Sequence, residues 1–192
     1  MKAESAATSE SATEGCRAAA ELVYTIGHST RPIDAFIRLL QTHGVAQVAD
    51  VRTVPRSRRH PQFERAALAA ALERCGFGYR HFPGLGGLRR PRADSTNTAW
   101  KHPGFRGYAD HMQTEEFRRA LDELLAYAAA APTAVMCAEA LWWRCHRSLL
   151  ADALVARGVA VRHIMSERSA TPHELSGLAR IDGDRIVYPG LF

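Results

Sequence analysis

From Leu22 onward the chain alternates short runs of β-branched and aromatic residues with stretches whose apolar residues recur every three to four positions. The runs predict strands at 22–26, 45–51, 78–82, 133–137 and 159–164, with a weaker one at 185–188. Four helices are expected between them. Residues 32–43 put Ile33, Phe36, Ile37 and Leu40 on one face, with Pro32 suited to the first turn and Gly44 to the stop. Residues 64–75 align Leu68, Ala71 and Leu72 and end at Gly76. The longest helix opens at Thr114-Glu115-Glu116-Phe117 and carries Phe117, Leu121, Leu124, Leu125 and Ala128 on its apolar face until Pro132. Residues 145–157, ending at Gly158, supply the fourth. Strand and helix in alternation predict a three-layer α/β fold, a mostly parallel, Rossmann-like sheet with helices on both faces.

Two stretches break the pattern. Residues 1–20 contain almost no large apolar side chains, so burial cannot offset their ordering entropy, and they read as a disordered tail in which Cys16 is incidental. Residues 83–104 form a connection of some twenty positions rich in Gly, Arg and Pro, longer than compact domains usually use, and are expected to act as a lid. The remainder, 21–192, reads as one α/β domain.

The chain has 192 residues, of which 46% are hydrophobic and 23% charged, the balance of a soluble globular protein. No run approaches the ~18 to 20 apolar residues of a membrane span, and the N-terminus lacks the apolar stretch of a secretory signal, so a cytoplasmic location is expected. Four cysteines are too few for a disulfide framework at this size and are expected to be reduced. The net charge of +5 matters less than its distribution: residues 50–106 hold twelve Arg and Lys against four Asp and Glu. This middle segment attracts anions.

In an open parallel sheet, ligands bind beyond the carboxyl ends of the strands. Those ends are rich in chemistry here: Gly27-His28-Ser29-Thr30, then Asp50-Val51-Arg52, then His81 with Leu85-Gly86-Gly87, then Cys137-Ala138-Glu139 leading to Cys145-His146-Arg147, and finally His163. Cys137 before a helix N-terminus is a candidate nucleophile, or a buried polar wall; Cys145 reads as the more structural of the two. A phosphatase-like loop is disfavoured, because six residues rather than five separate Cys137 from Arg144 and Leu141-Trp142-Trp143 is bulky for a phosphate cradle. Glu139 is a candidate general acid or base, assisted by His28 and His146, with Arg52, Arg58 and Arg147 gripping an anion. Asp50 with Arg52, and Glu139 with Arg147, could equally be bracing ion pairs. His43, His60, His102, His111 and His173 read as surface or loop residues.

The ordered motifs Tyr24-Thr25-Ile26-Gly27-His28-Ser29-Thr30, Asp50-Val51-Arg52-Thr53-Val54-Pro55-Arg56-Ser57-Arg58, Tyr79-Arg80-His81-Phe82-Pro83-Gly84-Leu85-Gly86-Gly87, Gly107-Tyr108, Cys137-Ala138-Glu139 and Cys145-His146-Arg147 resemble the bacterial family called domain of unknown function 488. The resemblance spans residues 24 to about 164. It implies a single α/β domain in which the Gly-His-Ser, Asp-Val-Arg, Leu-Gly-Gly and Cys-His-Arg elements come together, and it implies no activity. Trp142-Trp143 departs from the smaller or proline-containing loop expected beside Glu139.

These readings converge on an enzyme, a hydrolase or transferase, acting on a phosphorylated or nucleotide-like anionic small molecule. Glu139, His28, Cys137 and His146 are its expected catalytic groups. Ser29, Asp50, Arg52, Ser57, Arg58, Tyr79, Gly86, Gly87, Tyr108, Cys145 and Arg147 are its expected substrate-binding residues, Gly86 and Gly87 letting the loop backbone approach the ligand. No cofactor is required by this reading. One alternative is a nucleic-acid-associated or repair accessory protein, in which the basic segment meets phosphates while Trp100, Phe105 and Tyr108 stack on bases. Another is a metal-binding or thiol redox module in which Cys137, Cys145 and His146 hold zinc, with His28 or His163 as fourth ligand.

Overall fold

The structure is a computed structural model and describes residues 21–183 and 185–190; the expected tail at 1–20 lies outside the described residues. The central sheet has six strands: β1 (Leu22–Gly27), β2 (Gln47–Asp50), β3 (Gly78–His81), β4 (Thr133–Cys137), β5 (Ala160–Ser166) and β6 (Ser169–Pro172), in the order β3-β2-β4-β1-β5-β6. The first five run parallel, and β6 turns back antiparallel on β5. The order differs from the 3-2-1-4-5-6 of dinucleotide-binding sheets because β4 inserts between β2 and β1.

Alternation along each strand builds two cores. Val23, Ala49, Val135, Cys137 and Val161 face α3 (Pro103–His111), α4 (Glu115–Ala130) and α5 (Arg147–Ala156). Their neighbours Ile26, Val48, Ala134, Met136 and Ile164 face α1 (Ile33–Thr42) and α2 (Arg65–Arg74). Both faces of the sheet are therefore covered, which is why β2 and β4 are buried throughout, their polar Gln47, Asp50 and Thr133 included. Each large aliphatic side chain sealed in these layers contributes roughly 1.5–3 kcal/mol.

The long connection contains local structure of its own. It opens with a 3-10 turn at Pro83–Leu85, and its last residues pass into a helix, α3, that apolar periodicity does not announce. Gly107 interrupts that helix's pattern for a packing reason: a Cβ there would lie 2.5 Å from the Arg89 carbonyl oxygen. Asp110, almost fully buried, accepts from the Arg92 amide (2.8 Å), Ser95 Oγ (2.6 Å) and Asn97 Nδ2 (2.8 Å). The Asn97 Oδ1 in turn accepts from the Tyr188 amide (2.9 Å), just after the hairpin of β7 (Arg180–Asp182) and β8 (Arg185–Val187). These bonds tie residues 92–99 to α3 and to the segment that follows β8.

Because β1, β2 and β4 are parallel neighbours, their carboxyl ends share one edge. Pairing of β1 with β4 continues past the strands, the His28 amide bonding to the Cys137 carbonyl and the Ser29 amide to the Ala138 carbonyl, both at 2.9 Å. That extension sets the Gly-His-Ser and Cys-Ala-Glu segments side by side.

Candidate functional site

A cleft of about 1070 Å³ opens at this edge. Its walls come from His28-Ser29-Thr30 after β1, residues 52–54 and 56–60 after β2, Gly87, Leu88, His102, Gly104 and Phe105 of the connecting segment, and residues 137–140 and 144–146 at and after the end of β4. His28, Ser29, Arg52, Ser57, Arg58, Gly87, Cys137, Glu139, Cys145 and His146 all line it. Ser29 has φ of 51°, the left-handed region a β-carbon disfavours, and such backbone is found where surrounding contacts impose it.

The wall nearest β2 is a closed network. Arg52 donates through Nε to Asp50 Oδ1 (2.9 Å) and through Nη2 to Asp50 Oδ2 (2.6 Å), while Nη1 donates to the Phe63 carbonyl (2.7 Å). Tyr79 Oη donates to the same carboxylate (2.7 Å), and burial beside Asp50 raises the pKa of the phenol. His28 stacks on Phe63 with ring centroids 4.1 Å apart; its Nδ1 lies 2.9 Å from the Ser29 carbonyl oxygen and its Nε2 lies 3.4 Å from Arg52 Nη1. Burial, with Arg52 adding to it, lowers the His28 pKa to about 4, so the ring is neutral at neutral pH. A carbonyl at Nδ1 and a guanidinium at Nε2 suit the Nδ1–H tautomer, which leaves His28 a poor base.

The floor is a cluster of soft donors. Cys137 ends β4, and a 3-10 turn at Trp142–Arg144 returns the chain so that Cys145 and His146 lead into α5. The two sulfurs lie 3.3 Å apart, and His146 Nδ1 lies 3.6 Å from Cys145 Sγ and 3.9 Å from Cys137 Sγ. All three donor atoms fall within 4.8 Å of one another, the spacing that could hold a metal ion. Hydrogen bonding from Cys137 and His146 pushes the Cys145 pKa well below the ordinary thiol value, aided by its place before the α5 N-terminus. The bond to Cys145, together with burial, pushes Cys137 up. Cys145, expected to be structural, lines the cleft beside Cys137 and His146 Nδ1.

Five expected substrate-binding residues stand behind the cleft wall and serve other ends. Asp50 has no exposure and Tyr79 is bonded to it. Tyr108 is fully buried and donates to the Leu85 carbonyl (3.1 Å). Arg147 is buried as well; it bonds to the Glu139 and Ala140 carbonyls and to Thr25 Oγ1, holding the loop in shape without pairing with the Glu139 carboxylate. Gly86 packs on Thr53, where a Cβ would lie 2.4 Å from Oγ1. Gly87 does line the cleft, but it too packs on the protein, a Cβ there lying 2.2 Å from His146 Nδ1. The two glycines thus admit the protein's own side chains.

Other residues join the site from outside the expected set. Arg56, Arg59 and Arg144 line the cleft, exposed like Arg58, and among the described residues none of the four has a carboxylate partner. Arg56 and Arg59 were legible as neighbours of Arg58 in one loop. His60 and His102 line the cleft too, whereas His111 is buried and the His173 side chain is almost sealed from solvent. Trp142 stacks on His163 (centroids 4.0 Å apart) outside the cleft, so the bulky pair does not fill the space beside Glu139. Of the three aromatics expected to stack on bases, Tyr108 is buried, while Trp100 and Phe105 are half-buried and stack on each other (4.9 Å).

Among the described residues no helix is long and apolar enough to cross a membrane. Comparison with curated proteins and with solved structures finds no match. The family model described as "Domain of unknown function DUF488" matches residues 32–154. That segment carries the Asp-Val-Arg wall, the Leu-Gly-Gly packing and the Cys-His-Arg floor, and begins just after Gly27-His28-Ser29. Covering well over half of the sequence, it shows that the chain belongs to the DUF488 family.

Proposed function

We propose that this protein is an enzyme, a hydrolase or transferase, whose substrate is a phosphorylated or nucleotide-like anionic small molecule. One observation carries the reading: Arg56, Arg58, Arg59 and Arg144, all without carboxylate partners among the described residues, surround a cleft floored by Cys137, Cys145 and His146. Arginine presents a planar fork that matches phosphate oxygens, and unpaired forks around a concavity are free to bind them. A volume of about 1070 Å³ is ample for a nucleotide-sized ligand. Glu139, exposed within the cleft, is the proton-transfer group, its Oε1 accepting from the Leu141 amide (3.2 Å). Arg52 belongs to the wall, its guanidinium spent on Asp50.

Thermal melting with inorganic phosphate, nucleoside monophosphates and nucleoside diphosphates tests the binding half. A ligand at about 100 times its Kd raises stability by about 2.7 kcal/mol, and that gain should vanish in Arg58→Ala/Arg59→Ala while the unliganded melting temperature stays the same. Turnover of any binder should fall at least a hundredfold in Glu139→Gln. No stabilisation by any phosphorylated compound, or equal stabilisation of the double variant, would overturn the proposal.

A further inference from the structure

We propose that Cys137, Cys145 and His146 bind a Zn²⁺ ion at the floor of the cleft, with its fourth coordination position open to the substrate. The donor set is the soft, nitrogen-and-sulfur type that zinc prefers. With Zn–S near 2.3 Å and Zn–N near 2.0 Å, tetrahedral angles place two sulfurs about 3.8 Å apart and sulfur from nitrogen about 3.5 Å. The cluster already has 3.6 and 3.9 Å between nitrogen and sulfur and 3.3 Å between sulfurs. Loading requires the thiols to part by about half an ångström, a side-chain adjustment.

Several independent observations point to a cation here. Three Lewis-basic atoms converge, and the buried Arg147 guanidinium is bonded to carbonyls and a hydroxyl. His146 Nε2 is buried without a hydrogen-bond partner, so no polar contact on that side fixes the ring. Nδ1 is the ring nitrogen that faces both sulfurs. Gly87 contributes by lacking a side chain, since a Cβ would lie 2.2 Å from that same nitrogen and cover it. The neighbouring histidines are engaged elsewhere, His28 Nε2 facing Arg52 and His163 Nδ1 bonded to Thr25 Oγ1 (2.6 Å). Three protein ligands with a position left for water is the arrangement of catalytic rather than structural zinc. Two thiolates neutralised by Zn²⁺ also remove negative charge from the floor of a cleft whose arginines attract anions.

The metal site stands on its own geometry; its use in hydrolysis rests on the function proposed above. A water on the fourth position, acidified by the metal toward a pKa of about 7, gives a proton to the Glu139 carboxylate. Its oxygen bonds to the electrophilic centre of the substrate as the bond to the leaving group breaks. The leaving group departs with the electron pair and takes the proton from Glu139.

The full chain, purified with reductant and without chelator, is tested by elemental analysis and by a thiol count after denaturation. Stoichiometric zinc is expected. Chelator-stripped protein reloaded with Co²⁺ should show a thiolate-to-cobalt charge-transfer band, retained in Cys75→Ser and lost in Cys137→Ser and Cys145→Ser. Cys75 is exposed and outside the cluster, and the wild-type cobalt spectrum decides the matter even where a cysteine variant fails to fold. Folded wild-type protein with neither zinc nor a cobalt band, or isolation with Cys137 and Cys145 joined as a disulfide, would overturn the proposal. Metal bound without stabilisation by phosphorylated compounds would leave the site standing and remove the substrate class; stabilisation without metal would do the reverse.

Discussion

Asp50 has no exposure and accepts from Arg52 Nε, Arg52 Nη2 and Tyr79 Oη, so removing its carboxylate strands a guanidinium away from water. Asp50→Ala should cost about 3–5 kcal/mol, read from denaturant unfolding; a loss under about 1 kcal/mol would show that the pair is dispensable. Gly87→Ala tests packing of the opposite sign, too much matter instead of too little. Its methyl group would collide with His146 Nδ1, and displacing the ring or the Gly87 backbone should cost about 1–3 kcal/mol. The same variant should weaken binding in the cleft, and a melting curve and ligand response identical to wild type would refute the account of that glycine. At this scale the sequence named the right residues but not their tasks. Asp50 ends β2 and Arg52 follows it by two residues, a spacing equally compatible with gripping a ligand and gripping each other.

Elements are joined here by a buried polar chain that no local pattern announces. Thr25 on β1 lies 2.6 Å from His163 Nδ1 on β5, His163 Nε2 lies 3.0 Å from His173 Nδ1 after β6, and His173 Nε2 lies 2.9 Å from Asp152 Oδ1 on α5. Tyr188, following β8, donates to Asp152 Oδ2 (2.8 Å) and closes the chain. At its other end Arg147 Nη1 reaches Thr25 Oγ1 (3.4 Å), so a buried cation and a buried carboxylate are linked across the sheet through two imidazoles. Tyr188→Phe removes one hydrogen bond to a buried carboxylate and should destabilise by about 1.5–3 kcal/mol with an unchanged denaturant m-value. A neutral result would mean that the Asp152 carboxylate is satisfied without the phenol. The strands and helices with strong periodicity were legible to within two or three residues. Helix α3 and strand β6 were not, because Pro103, Gly104 and Gly107 in one, and Ser169 and Pro172 in the other, lack the periodic apolar residues that mark an element.

For the molecule as a whole, burial of two neutral histidines sets a pH dependence of stability. Desolvation lowers His28 to about 4 and, with His173 adding to it, His163 to about 3, against an ordinary value of 6.5 in the unfolded chain. Below pH 6.5 the unfolded state takes up protons that the folded state refuses, so stability is present above that pH and is lost as pH falls toward the folded values. Each histidine contributes a slope on the order of 1 kcal/mol per pH unit inside the window. Urea midpoints should fall steadily from pH 7 to pH 4.5; a flat profile would show that the two rings are hydrated and free to charge. The sequence by itself determined the layered α/β architecture, the sheet edge that bears the cleft and the motifs that meet there, because periodicity and strand-end position depend on neighbours along the chain. Only the tertiary structure decided that β4 lies between β1 and β2, that Arg52 and Arg147 brace while Arg56, Arg59 and Arg144 face the cleft, and that the sulfurs of Cys137 and Cys145 meet beside His146 Nδ1. Those outcomes depend on which distant side chain fills each buried hydrogen bond and each unit of charge, and competition of that kind is settled in space.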